Sequence, residues 1–511
     1  MRSVADLPRL LDAGLTLKPG DVALVSPQGQ LSWRDLETAS LHYAQNLIAA
    51  GLRPGDRVAS LLPNSDALVI HYLGCFKAGL VATPLNYRYT PPEIDHALKT
   101  SGASMLLFDA ARIGDIAASE AAAKLQRGLI CWGAATGQIP TFQEFLSEPE
   151  KLFPLSGGVA GEPAAIFFTS GSTGPAKGVT HSVSSIGSML ASLVKACQTG
   201  PDDIVAAFGS ISHIGAFADI FMGLWAGARI VIPESLDGDG LLSTLRQHRP
   251  TIGCALPVTL FGLVRNTDAK PEDFASLRIC GSGGDKVPAE LQRELSALSG
   301  PLINEQYGMT EFGIATVNPC DGEIKAGSAG RAIDGYELEI RDPEGSPVPP
   351  GMSGRLWVKS NATMTGYWND GDATRRVLVN GWLDTGDVFI EDRDGYFWFQ
   401  GRQKQIIVHS GSNITPQEVE EALLQHKGVA MAGVVGVPDV VHGENVRAFI
   451  VLKPDALDCT LAELIAFVRA RIGYKTPGDI FVLELMPLTA SDKVDRVALR
   501  RMSDQIPGRP D

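Results

Sequence analysis

The chain of 511 residues has little of what marks exported or membrane-spanning proteins. Its seven cysteines are scattered and form no Cys-x-x-Cys pair, which argues against a disulfide framework or a zinc site of that spacing. The most apolar stretch, 211–232, contains His213, Asp219 and Arg229, so it falls short of the roughly 18–20 uninterrupted apolar residues that a membrane span needs. It predicts a buried helix followed by a strand. With no apolar segment among the first residues, we expect a cytoplasmic protein with free thiols, no secretory signal and no transmembrane segment.

Positive charge is also scarce. The 44 Lys and Arg residues against 58 Asp and Glu residues give a formal net charge of −14, so a nucleic acid or an anionic membrane would be repelled on average. The 55 glycines and 32 prolines are too few for a low-complexity chain, and a hydrophobic content of 44% is enough for a large core. At this length we expect two or more domains and no nucleic acid partner.

Strand and helix patterns alternate through the first hundred residues. Residues 32–35 have the form of a capping box, and the helix that follows ends at Gly51. An apolar strand over 57–62, a helix over 65–78 and a strand over 81–85 come next. This alternation predicts an α/β fold, with a parallel sheet covered by helices on both faces.

The pattern changes after about residue 330. Residues 336–340 and 354–358 alternate apolar and polar side chains, which predicts a small antiparallel β region. A domain boundary is placed at Gly401-Arg402-Gln403-Lys404, which divides the chain into residues 1–400 and 401–511. For the second part, the sequence predicts a small α+β domain with two helices, two strands and a polar tail.

A segment rich in hydroxyl groups and glycine follows the apolar strand 166–168. Backbone N–H groups, hydroxyl donors and one mobile cation are what is needed to surround a polyphosphate. The segment is not a Walker A loop, because Lys177 stands between Ala176 and Gly178. In isolation, the same composition also fits a flexible surface loop. The candidate phosphate-binding residues are Thr169, Ser170, Gly171, Ser172, Thr173, Gly174 and Lys177.

Segment 169–178 resembles the phosphate loop of the adenylate-forming superfamily, which includes acyl-CoA synthetases, adenylation domains of nonribosomal peptide synthetases and beetle luciferases. Four further signatures follow in the family's order, at 304–311, 381–387, 401–404 and 487–489 with Lys493. Five ordered matches span nearly the whole chain. The resemblance implies a large AMP-binding domain of stacked αβ sheets with a small β subdomain, followed by a mobile C-terminal domain.

The resemblance assigns a nucleotide site to the second and third signatures. Tyr307 would stack on adenine, Thr310 would bind the α-phosphate, and Glu311 would help to hold Mg²⁺. Asp387 would accept the ribose hydroxyls, with Arg402 beside the same ribose. The residues alone also allow a core tyrosine, a surface glutamate, a turn-capping aspartate and a solvated arginine. The second signature adds Gln306, Gly308 and Met309 to the nucleotide-binding set.

Two other segments match the end of the site where the family binds the acyl group. Gly284, Asp285 and Lys286 align with a glycine-rich strand end that contacts adenine and the acyl group. Many relatives have small apolar residues where Asp285 and Lys286 stand, so the roles of these two side chains remain open. His213 matches a histidine that guards the acyl pocket, although a lone histidine before an apolar helix is also typical of a packed core.

Lys493 matches the lysine that reaches from the small domain to the carboxylate and the α-phosphate during adenylation. The sequence departs from the family pattern just before it, because Asp492 stands where glycine is usual. The adjacent carboxylate would raise the pKa of Lys493 or pair with it, and would stiffen the loop. Lys404 matches the hinge lysine, and Gln405 replaces the acidic residue that is common after it.

The resemblance implies ATP-dependent activation of a carboxylic acid, followed by thioester formation with coenzyme A. Gly411 would lie on the face presented to the pantetheine thiol, and Lys475 would lie near the opening for coenzyme A, unless it is only a surface lysine. The expected partner is a small carboxylate, with an apolar or aryl monocarboxylate favoured, and a homodimer is left open. Two alternatives are an acyl- or aminoacyl-adenylating enzyme that loads a carrier protein, with Asp219 on an α-amino group, and a nucleotide-binding protein that has lost catalysis, suggested by Asp492.

Overall fold

The computed structural model describes residues 4–134, 137–169, 176–300, 303–409, 412–439, 443–454, 456, 460–490 and 492–505. Ser170 to Gly174 of the predicted phosphate loop and Gly411 lie outside the described residues. Within the described part, the strands form four sheets. Two large sheets and one small antiparallel sheet belong to the N-terminal part of the chain, and the fourth belongs to the C-terminal part. The predicted α/β class, with a large N-terminal and a smaller C-terminal domain, is confirmed.

The first large sheet has nine strands in the described residues. Its order from one edge to the other is Arg331–Ala332, Gly313–Val317, Asn304–Met309, Ile279–Ser282, Ile252–Ala255, Ile204–Ala206, Arg229–Val231, Val22–Ser26 and Gly29–Ser32. The central strands are parallel, while hairpin partners run antiparallel at both edges. Strands Gly29–Ser32 and Gly313–Val317 follow their partners through short turns, which bring consecutive strands together in opposite directions.

The second large sheet has seven strands in the described residues. Their order is Gly366–Tyr367, Lys177–Ser182, Pro163–Thr169, Val81–Pro84, Arg57–Leu61, Met105–Asp109 and Leu129–Trp132. Strand Lys177–Ser182 turns back antiparallel to Pro163–Thr169, so the predicted phosphate loop joins two neighbouring strands. The predicted strands over 57–62 and 81–85 are confirmed as parallel neighbours.

The third and fourth sheets are small and mainly antiparallel. The third has Tyr336–Arg341, Ser353–Ser360, Trp382–Glu391 and Leu378–Val379 in order, with Phe397–Arg402 also beside Trp382–Glu391. The fourth has Ser412–Ile414, Ile407–His409, Gly443–Leu452 and Val429–Asp439 in order, with Asp479–Val482 parallel to Gly443–Leu452. The antiparallel region predicted after residue 330 is confirmed.

The α-helices of the described residues cover the faces of these sheets. In the N-terminal part they are Asp12–Leu17, Trp33–Ala49, Asp66–Ala78, Pro91–Ser101, Ile113–Ala117, Phe142–Leu146, Val183–Ala196, Ile214–Ala226, Gly238–His248, Pro257–Val264, Ala289–Ser299 and Gly371–Val377. In the C-terminal part they are Pro416–Leu424, Leu461–Ile472 and Arg496–Asp504. The last helix and strand Asp479–Val482 lie where the sequence predicted only a polar tail, which corrects that prediction.

Local signals in the sequence explain where several helices begin and end. Ser32 accepts a hydrogen bond from the backbone N–H of Asp35, and Asp35 accepts one from the backbone N–H of Ser32, which completes the predicted capping box. Helix Asp66–Ala78 ends at Gly79, whose φ of 69° lies in the left-handed region that glycine tolerates. No helix in the described residues is long and apolar enough to cross a membrane.

One hydrophobic core joins the two large sheets. Helices Asp66–Ala78 and Ile214–Ala226 meet between them, where the ring centroids of Tyr72 and Phe217 lie 4.9 Å apart and those of Phe217 and Phe167 lie 5.2 Å apart. The same core continues into the third sheet through Phe389 and Leu356. The C-terminal domain has separate clusters of buried residues around its own sheet.

Candidate active site

The site lies at the carboxyl ends of parallel strands of the first sheet. Strands Ile279–Ser282 and Asn304–Met309 are parallel neighbours, with Gly281 opposite Asn304 and Ser282 opposite Glu305. The segments near Gly284 and Tyr307 lie at this edge, and the region outside the carboxyl ends of the strands is the usual place for ligands in open α/β sheets. The structure therefore brings the fragments predicted at 284–286 and 304–311 to the same edge.

Tyr307 joins the first sheet to the third. Its hydroxyl donates to Oδ2 of Asp387 over 2.8 Å, and its ring lies 4.7 Å from the ring of Phe389. Nε of Arg402 lies 3.1 Å from Oδ1 of Asp387, because strands Trp382–Glu391 and Phe397–Arg402 place these residues opposite each other. Burial raises the pKa of Asp387, and the nearby Arg402 charge opposes that effect. The three predicted nucleotide-binding side chains thus form one hydrogen-bonded unit.

The turn that carries Thr310 and Glu311 is held from the second sheet. The Nε2–H group of buried His181 donates to the carbonyl oxygen of Thr310 over 2.7 Å, and the Tyr367 hydroxyl donates to Oε1 of Glu311 over 2.8 Å. Burial raises the pKa of Glu311, while the hydrogen bond from Tyr367 acts in the opposite direction. Lys177 lies at the same place, with its ammonium 4.8 Å from the centre of the Tyr367 ring.

Lys493 reaches this site from the C-terminal domain. Its Nζ lies 4.0 Å from the position that a Cβ on Gly284 would occupy, so the ammonium borders the glycine-rich strand end. Burial lowers the pKa of Lys493, and the nearby carboxylate of Asp285 opposes that effect. The structure therefore places the candidate catalytic lysine beside the segment that the resemblance assigns to adenine and the acyl group.

The unusual residue before this lysine has a partner. Asp492 has a φ of 57°, in the left-handed region where glycine is most easily placed and aspartate is tolerated better than most residues. Its carboxylate pairs with Arg88 of the large domain. The need for a left-handed residue gives a physical reason for a glycine preference at this position, and Asp492 meets it without displacing Lys493 from the site.

His213 is the N-cap residue of helix Ile214–Ala226 and faces the same turn. Nδ2 of Asn86 donates to Nε2 of His213 over 3.1 Å and to the carbonyl oxygen of Ala490 over 2.8 Å. Burial lowers the pKa of His213 to about 4, and the charge of Lys493 acts in the same direction. His213 is therefore neutral at pH 7 in this arrangement.

Several predicted residues lie in other contacts. Lys286 pairs with Glu421 of the C-terminal domain, and Lys475 pairs with Glu418 over 2.6 Å. Lys404 is exposed in the short 3-10 turn Gln403–Gln405 that follows the third sheet. The remaining predicted residues of this region, Gln306, Gly308 and Met309, belong to strand Asn304–Met309, and Thr169 ends strand Pro163–Thr169.

Four side chains of the site were missed from the sequence. They are His181, Tyr367, Asn86 and Arg88, none of which lies within the five signatures, although the strand of His181 begins inside the first one. His181 had a local signal, because it is a histidine within the apolar strand that begins at Lys177. The others are brought in by the second sheet, where strand Gly366–Tyr367 pairs with Lys177–Ser182 and the segment after Val81–Pro84 carries the asparagine and the arginine.

Comparison with known proteins assigns the family. A model of the AMP-binding enzyme family matches residues 12–368, and a model of the AMP-binding enzyme C-terminal domain matches residues 418–493. The chain belongs to the AMP-binding enzyme family. The resemblance to adenylate-forming enzymes that rested on five short signatures is confirmed.

Curated relatives and solved structures match over nearly the whole chain. A feruloyl-CoA synthase from Amycolatopsis sp. is 33% identical over 476 residues, which cover 92% of this chain and 94% of the relative. An indoleacetate–CoA ligase from Aromatoleum aromaticum is 31% identical over 504 residues, covering 97% and 98%. The structure of an anthranilate CoA ligase in complex with anthranoyl-AMP superimposes with a TM-score of 0.91 and 26% identity, covering 99% of this chain and 98% of that chain.

Proposed function

We propose that this AMP-binding enzyme activates a carboxylic acid with ATP and then transfers the acyl group to coenzyme A. The products are acyl-CoA, AMP and pyrophosphate, which makes the protein an AMP-forming acid–thiol ligase. The observation that carries the proposal is the position of the Lys493 ammonium beside Gly284, on the same edge as the unit of Tyr307, Asp387 and Arg402. A cation therefore stands between the candidate nucleotide site and the candidate acyl site.

In the first half-reaction, a carboxylate oxygen attacks the α-phosphorus of ATP and the bond to pyrophosphate breaks. Negative charge gathers on the oxygens of the α-phosphate as the two anions meet. The Lys493 ammonium is placed to stabilise that charge, and the Thr310 hydroxyl is a second donor on the turn that His181 holds. Asp387, oriented by Tyr307 and Arg402, retains lone pairs that can accept the ribose hydroxyls.

The phosphates of ATP arrive with Mg²⁺ in most ATP-dependent enzymes, and Glu311 is the residue that fits it here. Its carboxylate is 6% exposed and is oriented by the Tyr367 hydroxyl. One carboxylate together with phosphate oxygens is the ligand set that Mg²⁺ commonly takes, and the described residues hold no cluster of three or more His, Cys, Asp or Glu side chains suited to a metal ion. The ion would supply neutralisation of phosphate charge.

In the second half-reaction, the thiol of coenzyme A attacks the acyl carbon and AMP leaves. Lys493 acts in the attack on the α-phosphorus, so the C-terminal domain is free to turn about Lys404 once acyl–AMP has formed. That turn would withdraw Lys493 and present the segment that contains Gly411 to the thiol. Lys404 is exposed two residues after strand Phe397–Arg402, which supports a hinge there, because an exposed segment between two domains can absorb a change in its dihedral angles.

An aryl or other apolar monocarboxylate is the proposed acyl substrate. Helix Ile214–Ala226, which begins at His213, is apolar and mostly buried, and the named relatives include ligases of ferulate, indoleacetate and anthranilate. An amino acid would need a fixed carboxylate for its ammonium group. Asp219 does not suit that role well, because burial raises its pKa to about 7 and Cys254 is the side chain beside it.

Pyrophosphate exchange tests the first half-reaction. The protein is incubated with ATP, Mg²⁺, labelled pyrophosphate and a panel of aryl, aliphatic and amino acids, and label in ATP is measured. We expect exchange that depends on an aryl or apolar acid, and AMP release that depends on added coenzyme A. Exchange that does not depend on a carboxylic acid, or no exchange with any acid, would refute the proposed ligase activity. Exchange without release by coenzyme A would favour a carrier protein as the acceptor.

A further inference from the structure

We propose that Arg88 is a positioning residue for Lys493, acting through Asp492 to hold the catalytic turn in the orientation for adenylation. The inference rests on the proposed function of Lys493 and adds two residues to it. Arg88 belongs to the segment after strand Val81–Pro84 of the large domain, while Asp492 belongs to the C-terminal domain. Their ion pair therefore crosses between the domains immediately beside the lysine.

The turn that carries Lys493 is closed on itself. The Thr489 N–H donates to the carbonyl oxygen of Lys493 over 2.7 Å, and the Asp492 N–H donates to the carbonyl oxygen of Thr489 over 3.0 Å. Leu488 and Val494 form an antiparallel bridge on either side. These hydrogen bonds tie the turn together. A contact that restrains the Asp492 carboxylate therefore also restrains the neighbouring backbone of Lys493.

Besides the packing of Ala490 against a buried cluster of the large domain, two polar contacts hold this turn. Nδ2 of Asn86 donates to the carbonyl oxygen of Ala490, and Arg88 pairs with Asp492. The two residues are themselves linked, since Oδ1 of Asn86 accepts from the backbone N–H of Arg88 over 2.8 Å. Asn86 and Arg88 are two positions apart and contact Ala490 and Asp492, which are also two positions apart. Two such contacts fix both the position and the direction of the turn.

Other ion pairs between the domains involve different segments. Lys286 pairs with Glu421, and Nζ of Lys453 lies 3.8 Å from Glu294. These pairs attach the sheet and helices of the C-terminal domain to the large domain and involve neither Asp492 nor Lys493. Loss of either would loosen docking in general, whereas loss of the Arg88 pair would loosen the turn that carries the lysine.

The ion pair between Arg88 and Asp492 lies at the surface and is not part of the hydrophobic core. The side chain of Arg88 is 60% exposed and that of Asp492 is 34% exposed. Such ion pairs have small effects on folding stability, so variants are expected to fold. The test set is Arg88→Gln, Asp492→Asn, the double variant, and Arg88→Lys. Asparagine removes the charge yet still tolerates the left-handed backbone at 492. Arg9→Gln is the matched control, because Arg9 forms a similarly exposed pair with Asp12.

Two half-reactions are measured for each variant. In Arg88→Gln and Asp492→Asn, we expect the kcat of pyrophosphate exchange to fall by about two- to fivefold, the range that corresponds to an exposed ion pair. The double variant should be no slower than either single variant, because the same pair is lost once. Arg88→Lys should retain most of the rate. Thioester formation from supplied acyl–AMP should stay unchanged, as should both rates in Arg9→Gln.

A readout that does not need activity separates this inference from the proposed function. Free protein is treated with acetic anhydride, and acetylation of Lys493 is measured by mass spectrometry relative to exposed Lys427. We expect more acetylation of Lys493 in Arg88→Gln and Asp492→Asn than in the wild type or in Arg9→Gln. Unchanged acetylation, equal loss in both half-reactions, or additive losses in the double variant would each overturn the inference. A wild type that is inactive in exchange would count against the proposed function, and the acetylation result would still decide the role of Arg88.

Discussion

Replacing Lys493 by alanine removes the ammonium group that reaches Gly284 from the C-terminal domain. The backbone of the turn is held by its own hydrogen bonds and by Asn86, so we expect the variant to keep its fold and its docking. The change therefore isolates the contribution of one positive charge to the first half-reaction. The pair of Arg88 and Asp492 also remains, which leaves the adjacent negative charge compensated.

The size of the effect is worked for an ammonium in direct contact with the α-phosphate, at a separation of about 4 Å. Two unit charges about 4 Å apart interact by about 4 kcal/mol at an effective dielectric constant of about 20. Every 1.36 kcal/mol corresponds to about a tenfold change in rate, so the ceiling is about a thousandfold. Because Lys493 keeps some exposure to solvent, we expect a fall of about 100- to 1000-fold in acyl–AMP formation. Thioester formation from supplied acyl–AMP should change by less than about twofold, because the proposed turn of the C-terminal domain withdraws Lys493 from the site before that step.

The assay is a pair of rates measured on the same preparation. Pyrophosphate exchange reports the first half-reaction, and production of acyl-CoA from purified acyl–AMP reports the second. Lys427→Ala, at an exposed position of the C-terminal domain, is the control for loss of a lysine, and Lys493→Arg tests whether a charge without the same reach is enough. An equal loss in both half-reactions, at an unchanged melting temperature, would refute the reasoning, since a charge that acts only during adenylation cannot slow both.

Three further predictions concern the hinge, the ribose site and acid stability. Lys404→Pro fixes one φ angle after strand Phe397–Arg402, so thioester formation should fall much more than pyrophosphate exchange; equal losses would move the hinge elsewhere. Tyr307→Phe removes a donor to buried Asp387 and should raise KM for ATP by about tenfold, the equivalent of roughly 1.5 kcal/mol for a hydrogen bond to a charged group, with little change in KM for the acid. Burial lowers the pKa of His71 to about 3 and that of His181 to about 4, so at these two sites the unfolded chain binds more protons between about pH 4 and 6.5, and the stability that they contribute should fall as pH falls through that window. Buried Asp219 and Glu305, whose pKa values are raised to about 7, contribute in the opposite direction, so the test compares two proteins. Between pH 7 and 4 the urea midpoint should drop less, or rise more, in His71→Gln than in the wild type; an identical pH dependence would refute the role of His71.

The order of elements could be predicted where the local signals were strong. The capping box at Ser32 and the left-handed glycine at Gly79 fix helix ends through contacts within a few residues, which a sequence records directly. The sequence did not show which strands belong to which of the two large sheets, because that assignment depends on pairing between strands that are far apart in the chain. The last helix, Arg496–Asp504, was missed because its charged residues give it a polar composition, although buried Leu499 packs against the C-terminal sheet.

The residues of the candidate site that lie in short motifs could be predicted from the sequence. Tyr307, Asp387 and Arg402 come from three separate signatures, and the structure joins them by hydrogen bonds that no one signature contains. Asn86 and Arg88 could not be found in this way, because they act through a turn about 400 positions later in the chain. From the sequence alone, Asp492 departs from the glycine that is usual before the lysine. Its ion pair with Arg88 explains how the protein accommodates the negative charge.

The unbroken core between the two large sheets has a consequence for how the protein melts. Since helices Asp66–Ala78 and Ile214–Ala226 share one aromatic cluster, neither sheet can lose its packing without exposing the other, and the large domain should unfold as one cooperative unit. The C-terminal domain has clusters of its own and meets the large domain mainly through ion pairs and hydrogen bonds, so it can unfold first. At roughly 0.7 kcal/mol of unfolding enthalpy per residue, calorimetry should resolve a small early transition of about 80 kcal/mol and a large late one of about 280 kcal/mol. Added salt, which screens the ion pairs, should move the small transition to lower temperature more than the large one.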